Sequence, residues 1–133
     1  MDMRKTFATN AELEQDGIEV HFQNGAFIRL ARAGGGNIRY EQAMKRCFQP
    51  YRRALNSGSL DNKTVNEILQ KVYAETVVLG WRDFELDGAA LDYSPETALK
   101  LFREFPEFWK IVQEESEKFA NFKAEEINEA GKA

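Results

Sequence analysis

The sequence predicts an α-dominated α+β fold: an N-terminal β-hairpin packed on a bundle of about four helices, within a single domain spanning residues 1–133. Three features carry this expectation. Asn24-Gly25 separates two short runs that alternate apolar with polar residues, the pattern of a hairpin closed by a type I′ turn. From residue 37 onward, apolar residues recur at helical spacing. Ten Phe, four Tyr and two Trp supply the bulk that a packed core needs and that a disordered chain lacks.

Residues 1–17 are polar and read as a loosely ordered N-terminus with a short helical turn near Asn10–Gln15. The hairpin follows over residues 18–32. Ile18, Val20 and Phe22 alternate with Glu19, His21 and Gln23; beyond the turn come Phe27, Ile28 and Leu30. Its apolar face should lie on helices, because an isolated hairpin is marginal in water. Gly34-Gly35-Gly36 then leads to Asn37, a natural N-cap for a helix over residues 37–56. Pro50 falls inside that helix, removes a backbone donor and should kink or split it near Gln49.

Residues 61–80 read as the most regular helix. Asp61 caps it, Leu60 and Val65 hold the two positions of a hydrophobic staple, and Gly80 is placed to end it. Asp87-Gly88 marks a loop or a minimal second hairpin within residues 81–93. Ser94-Pro95-Glu96 starts another helix, and Phe105-Pro106 restarts the chain into a last one. The helical body is thus expected over residues 37–123, with a polar tail over 124–133.

Composition narrows function. No apolar run is long enough to span a bilayer, and the N-terminus lacks the apolar stretch of a secretory signal. A single cysteine, Cys47, excludes an internal disulfide and fits a reducing compartment, so a cytoplasmic location is expected. Net charge is −4 but uneven: residues 1–60 carry nine Lys/Arg against six Asp/Glu, whereas residues 61–133 carry nine against sixteen. That asymmetry suits charge-steered contacts between protein surfaces, including copies of the chain, better than a dedicated nucleic-acid binder.

The site readings follow from spacing. The glycine run lacks the Lys-Ser/Thr of a phosphate loop and the spacing of a dinucleotide fingerprint. Gly34, Gly35 and Gly36 therefore read as a hinge between hairpin and helix. Arg39, Lys45, Arg46, Arg52 and Arg53 read as the solvated face of an amphipathic helix, with phosphate contact as the alternative. His21 has no neighbouring second ligand, and Cys47 sits on an apolar stripe as an inert thiol. No nucleophile–base combination is legible, so no enzyme, cofactor or metal is expected. Leu101, Phe102, Phe105, Phe108, Trp109, Ile111 and Val112 crowd an apolar arc wider than one helix face needs. Such an arc points to self-association or a partner groove.

The order and character of several blocks resemble the tail assembly chaperones of long-tailed bacteriophages. The blocks are IRLARAGGGN, PYRRALNSGSLD, YAETVVLGWRDF and YSPETALKLFREFPEFW, and the resemblance runs from KTFATNAELEQDG at Lys5 to FANFKAEE near Glu126. It implies a small late protein of the host cytoplasm that binds the tape-measure protein and keeps that long helical chain soluble. The chain would deliver it for tail-tube assembly and be absent from the mature virion. Further candidate partners are the tail-tube protein, additional copies of the chain, and a longer form made by ribosomal frameshifting. A G-GGA-AAG slippery heptamer is compatible with Ala130-Gly131-Lys132.

The family offers no catalytic residue to carry over. From the sequence itself, Phe102, Phe105, Phe108, Trp109 and Val112 form the candidate partner-binding surface, with Arg52 and Arg53 as electrostatic contacts. The alternatives are a structural tail or head-tail connector subunit retained in the virion, and a small nucleic-acid-binding regulator using residues 38–56.

Overall fold

The computed structural model describes residues 1–124. All of the expected polar tail except Ala124 lies outside the described residues, as does the Gly131-Lys132 reading. The chain runs through α1 (Met3–Phe7), α2 (Ala11–Asp16), β1 (Ile18–His21), β2 (Phe27–Leu30), α3 (Ile38–Phe48) and α4 (Arg52–Ser57). It continues through α5 (Asn62–Thr76), β3 (Val78–Arg82), β4 (Glu85–Leu86), β5 (Ala89–Ala90), α6 (Pro95–Glu104), α7 (Pro106–Glu117) and α8 (Phe119–Phe122). The α+β architecture expected from the sequence is present: helices dominate, and a small antiparallel sheet holds the hairpin.

The hairpin closes as the Asn24-Gly25 pair requires. Asn24 (φ 60°, ψ 30°) and Gly25 (φ 80°) are both left-handed, and Ala26 N–H donates to the Gln23 carbonyl at 3.2 Å. Ile18 pairs with Leu30 and Val20 with Ile28, so the apolar residues share one face, and Ile28 and Leu30 are fully buried.

The sheet is one strand larger than the hairpin. The helix expected over residues 61–80 stops at Thr76, and Val78–Arg82 pairs antiparallel with β2, in the order β1-β2-β3. Gly80 lies opposite Arg29 inside that strand and does not cap the helix. Val77 closes the helix with helical dihedrals, the β-branched Val78 opens the strand, and β2 offers an open edge that pairing satisfies. A strand thus interrupts the body expected to be helical over residues 37–123.

Local signals set most helix ends. Asp61 accepts from Thr64 N–H at 2.8 Å and Ser94 from Thr97 N–H at 3.0 Å. At Pro50 the α3 helix gives way to a 3₁₀ turn, Gln49–Tyr51, before α4 resumes. The N-terminus is tied down more firmly than its polarity suggested. Asn10 caps α2, Thr9 bridges to Lys123, and Arg32 N–H donates to the Glu14 carbonyl at 2.9 Å.

The core sits where the sheet meets α5, α6 and α7. It centres on Ile28, Leu30, Tyr73, Val77, Phe102, Trp109 and Val112. Trp109 stacks edge-on to Tyr73 with ring centroids 4.9 Å apart and donates its indole N–H to Asn66 at 3.0 Å.

Candidate functional site

A cavity of about 600 Å³ opens where three elements converge: the hairpin tip, the β3–β4–β5 segment and the corner between α6 and α7. Phe22 and Ala26 line it from the tip, Phe84, Leu86 and Leu91 from the second hairpin, and Leu101, Phe105 and Phe108 from the helices. Asp83 and Glu85 add carboxylates. The lining is mostly apolar with an acidic share, the chemistry of a groove for an apolar segment carrying basic neighbours.

Each wall is positioned by identifiable contacts. Phe84 stacks on Trp81 with centroids 5.0 Å apart and meets Phe22 and Phe108 edge-on at 6.0 and 6.1 Å. Trp81 is held by its indole N–H, which donates to the Leu91 carbonyl at 2.8 Å. Tyr93 donates its hydroxyl to the Val78 carbonyl at 2.8 Å, fixing the segment after β5 to the sheet. Burial there pushes the Tyr93 phenol above its ordinary range. Asp83 takes a left-handed turn (φ 61°), and Asp87 (φ 52°) with Gly88 closes the β4–β5 hairpin.

The structure divides the sequence-derived candidates. Phe105 is exposed at 40% and Phe108 is half-buried; both line the groove. Phe102, Trp109 and Val112 are buried in the core and cannot meet a partner while the fold is intact. The wide apolar arc exists because α7 packs on two sides, with Trp109 and Val112 inward and Phe108 toward the second hairpin. Arg52 and Arg53 are exposed on α4 and do not line the groove.

The glycine run is a packed joint. Gly34 (φ 116°) and Gly35 (φ 54°) need backbone that L-residues resist. A methyl on Gly35 would collide with the Glu14 carboxylate and the Arg32 side chain, and one on Gly36 would lie 2.7 Å from Glu14 Oε1. Glu14 is buried, and its Oε2 accepts from Arg32 Nη1 at 2.6 Å. The anion beside this loop is therefore the chain's own carboxylate. Asn37 completes the joint. Its Oδ1 accepts from Tyr40 N–H at 3.3 Å, and its Nδ2 donates to the Arg32 and Thr76 carbonyls at 2.9 and 3.0 Å.

Among the other singled-out residues, His21 is exposed and contacts Glu19 at 3.1 Å. Cys47 is half-buried and lines a second, smaller cavity, short of the full burial its apolar stripe suggested. Arg46 pairs with Glu75, while Arg39 donates to the Glu75 carbonyl at 2.8 Å. Among the described residues, no group of three or more His, Cys, Asp or Glu is arranged to hold a metal ion, and no helix is long and apolar enough to cross a membrane.

The sequence did not single out Phe22, Phe84 or Leu91 for the groove. The available signal was the pair of tight turns, Asn24-Gly25 and Asp87-Gly88, each with a Phe shortly before it.

A family model described as YdaY prophage protein matches residues 35–133, from within the glycine run to the end of the chain. The chain belongs to this prophage family. The match takes in the α6–α7 corner and the β4–β5 wall of the groove, while the hairpin tip lies outside it. No curated protein and no solved structure matches the chain.

Proposed function

We propose that this prophage-family protein is a non-enzymatic tail assembly chaperone that binds the tape-measure protein and holds it soluble until the tail tube assembles around it. The observation that supports this most is the apolar groove at the hairpin tip, with Phe84, Phe105 and Phe108 along its walls. A helix with an unpaired apolar stripe aggregates unless that stripe is covered. A groove of this size takes a few anchors at i, i+3, i+4 and i+7 spacing from such a helix. Asp83 and Glu85 favour a segment carrying Lys or Arg beside its apolar stripe. Binding of this kind is reversible, so tube subunits displace the chaperone. The protein would act in the host cytoplasm and be left out of the virion.

The test is co-expression with the tape-measure protein of the same prophage, followed by affinity capture and light scattering. A soluble complex, with tape-measure protein insoluble alone, is expected. Phe105→Asp should abolish capture while leaving the circular dichroism spectrum unchanged. Failure of the folded wild type to capture or solubilise the tape-measure protein would overturn the proposal. Stoichiometric recovery of this chain in purified virions would instead favour a structural tail subunit.

A further inference from the structure

Strand β1 forms one edge of the three-stranded sheet. Next to it, Phe22 N–H donates to the Ala26 carbonyl at 2.7 Å. Backbone groups alternate in direction along an antiparallel strand, so Ile18 and Val20 turn theirs toward β2, while Glu19 and His21 turn theirs away from the sheet. Among the described residues, no turn, loop or side-chain hydrogen bond takes up the backbone of Glu19 or His21. The opposite edge differs. There the Val78 carbonyl accepts from the Tyr93 hydroxyl and the Trp81 indole donates to the Leu91 carbonyl, which ties the segment after β5 to β3. The apolar row of β1 is also unfinished: Ile18 and Val20 are half-buried, whereas Leu30 and Ile28, their partners on β2, are fully buried. Open backbone and half-covered apolar side chains thus lie together along β1.

The residues of this edge select what pairs with it. Glu19-Val20-His21 is complementary to itself when reversed. An antiparallel copy related by a two-fold axis at Val20 sets Glu19 opposite His21, and His21 opposite Glu19. These are the two residues whose backbone points outward, so each opposed pair can exchange two N–H···O bonds. An axis at Glu19 would oppose two carboxylates, and one at His21 two imidazoles. On the exposed face, Glu19 holds Arg29 at 2.9 Å and contacts its own His21 at 3.1 Å, and His21 lies against Phe27 with centroids 5.3 Å apart. The row across the joined sheets would then run Arg29, Glu19, His21, Phe27, with no like charges side by side. On the other face, Ile18 would come beside Phe22 of the second copy.

We infer that the outer edge of β1 is a docking site for a second copy of this chain, the two hairpins joining through Glu19-Val20-His21 into a six-stranded antiparallel sheet. The contact involves no tape-measure segment, so it stands apart from the chaperone proposal. A strand of four residues buries little surface, so the dimer is a weak one that dissociates on dilution.

The experiment measures self-association of the purified chain alone by analytical ultracentrifugation over a wide range of protein concentration. Wild type should pass from monomer to dimer as concentration rises. His21→Glu sets carboxylates against each other in two symmetric pairs and should weaken the dimer about tenfold or more. His21→Lys keeps unlike groups opposed and should associate within about threefold of wild type or more tightly. His21 is exposed, and circular dichroism checks that each variant folds. Register is read by crosslinking in a Cys47→Ser background with a mild oxidant. Val20→Cys brings two thiols to the axis, with Cα atoms about 4.5 Å apart, and should form a disulfide between copies. Ile18→Cys, set opposite Phe22, should not. A wild type that stays monomeric throughout, a dimer indifferent to His21→Glu, or a folded Val20→Cys chain that crosslinks no better than Ile18→Cys would each overturn the inference.

Discussion

Replacing Gly35 with alanine should destabilise the protein through two separable effects. The first is backbone strain: alanine at φ 54° costs roughly 1–2 kcal/mol. The second is displacement. The new methyl meets the Glu14 carboxylate and lies 2.8 Å from Arg32 Cδ and Nη1, so the ion pair beneath the loop must shift. The pair's side chains are 5% and 21% exposed, and breaking a buried pair outright costs about 3–5 kcal/mol. A displaced but surviving pair loses part of that, so the total for Gly35→Ala should be about 2–4 kcal/mol.

The neighbouring glycines separate the two effects. Gly34 has nothing within 4 Å of an added methyl, so alanine there meets strain alone. Gly36 lies outside the left-handed region, so alanine there meets the carboxylate alone. Urea unfolding followed by Trp81 and Trp109 fluorescence gives each change. In a Glu14→Ala background the penalty of Gly35→Ala should fall toward its strain part, a coupling of about 1–2 kcal/mol. A coupling below about 0.5 kcal/mol, the usual scatter of additivity, would refute the idea that the carboxylate constrains the loop. Replacing Gly34, Gly35 and Gly36 together with alanine would combine strain and clash. It would strike folding directly, so a hinge role in assembly has to be sought by other means.

Two further predictions follow from buried polar groups. Asn37→Ala removes the α3 cap and leaves the Arg32 and Thr76 carbonyls short of a donor, and should cost about 2–3 kcal/mol in the same urea titration. Burial raises the Tyr40, Tyr73 and Tyr93 phenols above their ordinary value near 10. The unfolded chain therefore ionises first, and stability should hold below pH 10 and fall as pH rises beyond it. Tyr73→Phe should flatten this alkaline fall in melting temperature, and an unchanged slope would contradict it.

Elements governed by short-range chemistry were legible in the sequence. The Asn24-Gly25 turn, the Asp61 and Ser94 caps and the break at Pro50 each depend on a few adjacent residues, and each stands where its residues placed it. Strand β3 was not legible. Gly80 stood where a helix-ending glycine would follow the apolar stripe of α5, and what makes Val78–Arg82 extended is β2, some fifty residues earlier in the chain. The groove was half legible for the same reason. Phe105 and Phe108 stood out in a dense apolar block, but Phe22 and Phe84 belong to the site only through the fold. Burial of Phe102, Trp109 and Val112 likewise depends on which side of α7 faces the sheet, and the width of an apolar arc does not specify this.

The three-stranded sheet sets the minimum length of a working fragment. The family match begins at Gly35, yet the middle strand of the sheet, Phe27–Leu30, precedes it. A fragment cut at residue 35 would keep β3 but strip its hydrogen-bonding partner and remove Ile28 and Leu30 from the core. The exposed edge of Val78–Arg82 would then invite pairing between molecules. The family match and the sheet thus begin at different residues, and expression boundaries are better drawn before the hairpin than at the start of the family match.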